Sequence, residues 1–320
     1  MTEKYPGTPL AALDLSRVET YSIFSRESKV CVDDLGKPSQ KGSTLEGFLD
    51  GLPDILASKD LKEVASRIAA ARSSGKGVLL GMGAHPVKVG LGPLLADAIE
   101  TGIITGIATN GAAIIHDYEL ALSGMTSEDV GAVLGSGGFG MAEETAGTLN
   151  GAITDGDQEG KGIGYSIGRL IEGDNLPYSS LSLFASTFRN QIPATVHVAM
   201  GTDIIHMHPS CDGAATGSAS LRDFHLMARQ VAALSGGVFI NLGSSVILPE
   251  VFLKAYSLAR NLGHEIKDLT TVNMDFIQHY RPRVNVIQRP TSHSGKGFAL
   301  TGHHEILLPL LLSAVKELMP

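Results

Sequence analysis

The chain has 320 residues, of which 43% are hydrophobic and 18% charged, and its formal net charge is -8. That balance excludes a disordered chain and leaves room for a large core. The acidic charge comes with no basic stripe, which excludes a nucleic-acid binder of the usual electrostatic kind.

In chain order, residues 1–45 are irregular, with several prolines and glycines and mixed charge. They read as an arm that packs on the body or on a neighbouring subunit, ahead of a single α/β domain over 46–320. A short helix is expected over 47–58. Residues 60–72 read as an amphipathic helix with Leu61, Val64, Ile68 and Ala71 on one face.

The stretch 78–122 reads as strand, turn, helix, strand, turn, helix. Residues 78–82 are a short apolar run ending in Gly83-Ala84-His85, and Leu91, Leu94, Leu95, Ala98 and Ile99 recur at helical spacing. Residues 102–108 are apolar and β-branched, a buried strand that runs into Thr109-Asn110-Gly111-Ala112. Ligands in open α/β sheets sit beyond the carboxyl ends of the strands, and helix starts attract phosphate through unpaired N–H groups. The working expectation is a nucleotide held at these small-residue turns.

Gly135, Gly137 and Gly140 match G-x-G-x-x-G literally, but no good strand precedes them. That spacing needs a strand before it and a βαβ unit around it, so the match reads as a loop before a helix over 141–150. Further strands are expected over 192–200, 237–242, 269–274 and 284–288, with a last one at 298–300. They end in Gly201-Thr202-Asp203, Gly243-Ser244-Ser245, Asp275 and Thr301-Gly302 respectively, the 284–288 run excepted. Helices are expected over 221–234 and from Pro249 to Asn261, and a last buried helix follows Gly302. Strands alternating with helices over more than two hundred residues imply a doubly wound, largely parallel, Rossmann-like α/β sheet.

Cys31 and Cys211 lie far apart and form no disulfide framework, so a reduced, cytoplasmic protein is expected. The start MTEKYPGTPL lacks the basic and apolar regions of a signal peptide. The longest apolar run, from Ile306 to Val315, is broken by Pro309 and falls short of the about 20 residues that span a bilayer.

The segment GMGAHPVKVGLGPLLADAIETGIITGIATNGAAIIHDYELAL resembles the cofactor-binding segment of the deoxyhypusine synthase family. GIGYSIGRLIEGDNLPY, the strand end at Ala199 to Asp203, the helix–turn–helix of 228–260 and the Pro-containing terminal helix also resemble that family, in the same order. The resemblance covers roughly residues 50–318 and implies a Rossmann-like fold, bound NAD and a homotetramer with sites between subunits. It further implies an enzyme, a transferase or oxidoreductase, that dehydrogenates spermidine and passes an aminobutyl group through a lysine imine to a protein lysine. Related members make homospermidine. By position it places cofactor contacts at Gly83, Ala84, His85, Thr109, Asn110, Gly111, Ala112, Asp203, Gly243, Ser244, Ser245, Asp275, Thr301 and Gly302. It places the imine-forming lysine at Lys296, in Ser292-His293-Ser294-Gly295-Lys296-Gly297; as a nucleophile that amine needs partial burial to be neutral.

The chain departs from the family where the polyamine binds. An Ile and a His occupy the places after Asp203 where the family has a Ser and an acid. The run 246–249 has no counterpart to the family's active-site His, and the acidic, Trp-containing segment before the lysine is shortened. A dication needs carboxylates or aromatic faces. The expected substrate is therefore a small molecule other than spermidine, with His206 and His208 as further catalytic candidates. A second reading is a metal-dependent hydrolase or lyase centred on His206 and His208, which an extended segment would turn to one side. A third is a non-catalytic nucleotide-binding protein. Arg281, Arg283 and Arg289 could take an anionic substrate or form salt bridges.

Overall fold

The computed structural model describes residues 13–319. Six strands form one sheet: β1 (Val78–Met82), β2 (Gly106–Asn110), β3 (Ala194–His197), β4 (Val238–Leu242), β5 (Thr270–Asp275) and β6 (Lys296–Thr301). Their order is β3-β2-β1-β4-β5-β6, and every pair is parallel. The chain winds outward from β1 in one direction and returns to β4 to wind in the other. The crevice between the carboxyl ends of β1 and β4 is therefore the topological switch point.

β1 and β4 are near-continuous apolar runs, and β5 is buried along its whole length, because helices cover both faces. Side chains alternate between the two cores. Val78, Leu80 and Met82 of β1 and Val238, Ile240 and Leu242 of β4 face the larger one, with helices Leu56–Ser73 and His304–Leu318. Leu79 and Phe239 face the other, with helices Gly213–Ala232 and Ile247–Asn261. There Phe239 stacks on Phe252 at 3.8 Å. Gly81 permits this, since a Cβ on it would stand 2.8 Å from the Phe239 ring.

Leu61, Val64, Ile68 and Ala71 are buried along Leu56–Ser73, as their spacing predicts. Several boundaries differ from expectation. The helix expected over 47–58 breaks after Leu45–Gly51, because Pro53 holds Leu52 extended (φ -66, ψ 144). The second strand starts only at Gly106, after Ile103 and Ile104 fill the core as a linker. The helix expected over 141–150 runs Glu143–Gln158. The strand expected over 284–288 is a π-helical stretch, Arg283–Gln288. Its apolar residues Val284 and Val286 had the right composition for a strand, but Arg289 and Asn285 bond along the turn instead.

The Gly135-Gly137-Gly140 match lies among short helical turns with no strand before it. Gly140 packs against Ile204 and Met207. Residues 13–44 form three short 3-10 turns whose apolar side chains lie in solvent, Phe24 at 97% exposure. No helix among the described residues is long and apolar enough to cross a membrane.

Candidate functional site

Each strand hands its carboxyl end to residues expected at the site. β1 runs into Gly83, Ala84 and His85. β2 ends in Thr109 and Asn110 and passes directly into helix Gly111–Ser123, with Ala112 in its first turn. The loop after β3 carries Asp203, and β4 is followed by Gly243, Ser244 and Ser245. β5 ends at Asp275; β6 ends at Thr301, with Gly302 beyond it. Because the sheet is wholly parallel, these residues share one rim.

Three close approaches knit the rim. Gly83 donates its N–H to the Leu242 carbonyl at 3.3 Å, and a Cβ on Gly83 would lie 3.2 Å from the Gly243 carbonyl. The bends on either side of the switch point thus touch through backbone. A Cβ on Gly111 would run into Oδ2 of Asp203, so glycine is required where that carboxylate meets the start of helix Gly111–Ser123. Gly302 donates its N–H to the Asp275 carbonyl at 3.2 Å.

Among the described residues, ten buried side-chain atoms lack a hydrogen-bond partner; six belong to rim residues, and the others are on Asn150, Gln230, Asn241 and Thr271. The six are Thr109 Oγ1, Asn110 Oδ1, Asp203 Oδ2, His206 Nε2 and both ring nitrogens of His304. Folded proteins satisfy most buried polar groups, so such a cluster points to something that is meant to be bound. Helix Gly111–Ser123 also has no side-chain cap on its first N–H groups.

Two acid–imidazole pairs stand on the rim. His206 Nδ1 accepts N–H bonds from Gly201 (3.1 Å) and Asp203 (3.3 Å), and its Nε2 stands 4.0 Å from Asp203 Oδ2. Burial pushes the Asp203 carboxyl up, and His206 opposes that. At the other pair, His304 Nε2 lies 3.8 Å from Asp275 Oδ1, and its ring meets His85 edge-on at 5.3 Å. Burial pushes the His304 ring down; Asp275 opposes this and His85 reinforces it. His304 is a site residue that the sequence reading above does not name. The signal is a His-His pair after a strand-end Thr-Gly, with the second histidine at the first position of a helix.

Two expected catalytic residues do not join this rim. Lys296 is the first residue of β6, paired in register with Thr270, so it stands at the amino end of the sheet, opposite the site. Its ammonium is 2.6 Å from Glu63 and sits over the Phe298 ring at 4.9 Å. It fastens β6 to helix Leu56–Ser73 and is half exposed. His208 lies beyond a 3-10 turn, Ile204–Met207, rather than on an extended segment. It is half-buried and bonded to Ser210 at 2.7 Å, so the two imidazoles take separate partners. Among the described residues no group of three or more His, Cys, Asp or Glu is arranged to hold a metal, so the metal-centred reading has no donor set. Arg281 pairs with Glu250 at 3.4 Å and Arg289 bonds Asn285 at 2.7 Å.

Two clefts lie off the rim. One, of about 730 Å³, is lined by His225, Arg229, Leu258 and His264. The other, of about 650 Å³, is lined by Tyr165, Phe188, Arg189 and Ile192. Neither contains a rim residue.

No family model and no curated protein sequence matches the chain. Solved structures do. The "conserved putative LOR/SDH protein" from Methanococcus maripaludis S2 is 18% identical over 92% of this chain and 75% of its own, with a TM-score of 0.55. AgrE, in a ternary complex with ornithine and NAD+, is 14% identical over 82% of this chain, with a TM-score of 0.53; the match spans 34% of AgrE. A "putative deoxyhypusine synthase" from Entamoeba histolytica is 13% identical over 87% of this chain and 95% of its own, with a TM-score of 0.52. Identities this low establish shared architecture and nothing finer, and on that ground the chain has the Rossmann-like α/β fold found in the deoxyhypusine synthase-like and LOR/SDH-like structures.

Proposed function

We propose that this protein is an NAD-dependent, deoxyhypusine synthase-like enzyme that acts at a carbon beside nitrogen, with the dinucleotide lying across the β1/β4 crevice. The observation that carries the reading is the cluster of unpartnered buried polar atoms on a rim whose bends are glycines in backbone contact. A dinucleotide supplies acceptors and donors for such atoms, and Gly83 and Gly243 let backbone approach it closely. Likeness to AgrE, whose complex holds ornithine and NAD+, and to a deoxyhypusine synthase-like structure supports an amine substrate.

The residues that would hold the cofactor are Gly83, Ala84 and His85, Thr109 to Ala112, Asp203, Gly243 to Ser245, Asp275, Thr301 and Gly302. The nicotinamide, when bound, accepts a hydride from the amine carbon. The chain's own part is to orient and to hold protons. His206, with Nδ1 committed to two backbone N–H groups, keeps its proton at Nε2, toward Asp203. The substrate is a small amine other than spermidine, given the Ile and His that follow Asp203. An arm over 1–45 and an α/β domain over 46–320, assembled as a homotetramer in the cytoplasm, complete the proposal; the bare apolar side chains of the arm support association.

The test is direct. Protein purified without added nucleotide is denatured, and the released small molecules are weighed and their nucleotide absorbance recorded. NAD+ is then titrated calorimetrically, and its reduction is followed with spermidine, ornithine and other amines. NAD at one per chain and reduction by an amine other than spermidine are expected. Protein that neither carries nor binds NAD sinks the proposal, and reversible binding with no turnover on any amine leaves a nucleotide-binding protein instead.

A further inference from the structure

His304 is buried to 1% exposure, yet neither ring nitrogen has a hydrogen-bond partner. The groups around it come from four elements. The end of β5 supplies Asp275, at 3.8 Å from Nε2, and Phe276, whose ring lies at 6.2 Å. The bend after β1 supplies His85 at 5.3 Å. The bend after β4 supplies Gly243, whose missing Cβ leaves the ring its place. On its own helix stand His303, which stacks on Phe276 at 6.1 Å, and Glu305. Asp275 is too distant for a hydrogen bond. The Met274 carbonyl, which accepts the Gly243 N–H at 3.0 Å, also faces the ring and favours its charged form. A polar ring is thus seated in a prepared socket at the switch point, with its bonding unfinished.

We propose that His304 takes up a proton when a phosphate-bearing ligand docks at the β1/β4 crevice, its imidazolium then bridging Asp275 and the phosphate. This rests on the reading of the rim as a dinucleotide site. In the free protein, burial favours the neutral ring and His85 adds to that effect, while Asp275, the Met274 carbonyl and Glu305 act against it. A phosphate brings a further negative charge and a strong acceptor to the same ring, and the balance tips to the charged form. The start of helix His304–Leu318 has no side-chain cap, so its first N–H groups favour the same anion. A substrate ammonium beside Asp275 would act in the opposite sense and hold the ring neutral. The direction of proton movement therefore distinguishes a phosphate from an amine at this position.

Linkage fixes the sign. A ring whose pKa is higher in the complex than in the free protein makes affinity rise as pH falls, by up to about tenfold per pH unit between the two values. NAD+ and ADP-ribose are titrated into the whole protein by calorimetry, in buffers of different ionisation enthalpy, from about pH 7.5 to about pH 5.5. Expected are proton uptake with both ligands and affinity that rises several-fold toward the acid end. His304→Gln should still bind, with uptake lost and affinity level across the range. Histidine-selective NMR of the unaltered protein gives a second readout that needs no variant: one buried ring should turn cationic on adding ADP-ribose.

Uptake absent from the unaltered protein, undiminished in His304→Gln, or removed by His85→Gln but not by His304→Gln, overturns the inference. Uptake with NAD+ but not with ADP-ribose overturns the assignment to phosphate. These outcomes leave the dinucleotide site standing. A protein that binds neither ligand overturns the site and the inference together.

Discussion

Gly243 and His304 share one space: a Cβ on Gly243 would stand 2.6 Å from Cε1 of His304. Gly243 also has φ +67, where a side chain is strained. The residue that bends the chain after β4 therefore also sets how close a buried imidazole comes to the switch point.

Gly243→Ala should displace the His304 ring. The left-handed backbone alone costs about 1–2 kcal/mol for a non-glycine residue, and the ring contact adds to it. Denaturant unfolding should show the loss, and calorimetry should show weaker NAD+ binding beyond what unfolding explains. Stability and binding both unchanged would mean that the ring is not held by this approach.

Two buried groups near β3 should oppose each other in acid. Burial pushes the Asp223 carboxyl up to about 7, although it accepts N–H bonds from Gly164 and Val196. Burial pushes His197, bonded to Thr195, down to about 4. The Asp223 contribution is complete below the ordinary carboxyl value of 3.8 and is lost as pH rises through about 7. The His197 contribution is complete above 6.5 and is lost as pH falls through about 4. Between about pH 4 and about pH 6.5 their slopes have opposite signs. Asp223→Asn should make stability climb with pH in that window, and His197→Gln should make it fall. Thermal melts across the window check this; identical slopes in the two variants would refute it.

Lys296→Ala should leave the rim untouched. Its pair with Glu63 is half exposed, so the loss in stability should be about 1 kcal/mol or less. NAD+ binding should be unchanged, and borohydride with an amine substrate should trap nothing at this position. A trapped adduct on Lys296 would return the lysine to the mechanism.

Removal of residues 1–35 should lower the oligomeric state. That segment leaves Leu15, Tyr21, Ile23, Phe24 and Val32 in solvent, and apolar groups so disposed associate. Light scattering should report a smaller particle with an unchanged circular dichroism spectrum. An unchanged mass would show that the arm is no interface.

The sheet was legible because a parallel strand covered on both faces must be apolar throughout, and its turn must be small. Val78 to Met82 and Val238 to Leu242 announce themselves in this way, with Gly83 and Gly243 after them. The run 284–288 misled for the same reason: local composition was that of a strand, while helix Ile247–Asn261 and its Glu250 captured Asn285 and Arg281 into a helical turn. Lys296 misled because family position marks a place in the sequence, not an end of a strand.

The sequence by itself determined the doubly wound sheet and the glycine bends, since periodicity and turn chemistry are local properties. Tertiary structure alone decided which end of β6 carries Lys296, that Asp203 closes on Gly111, and that His304 lies against Gly243 and Asp275. Those relationships join residues far apart in the chain, and strand order, which no local pattern encodes, is what brings them together.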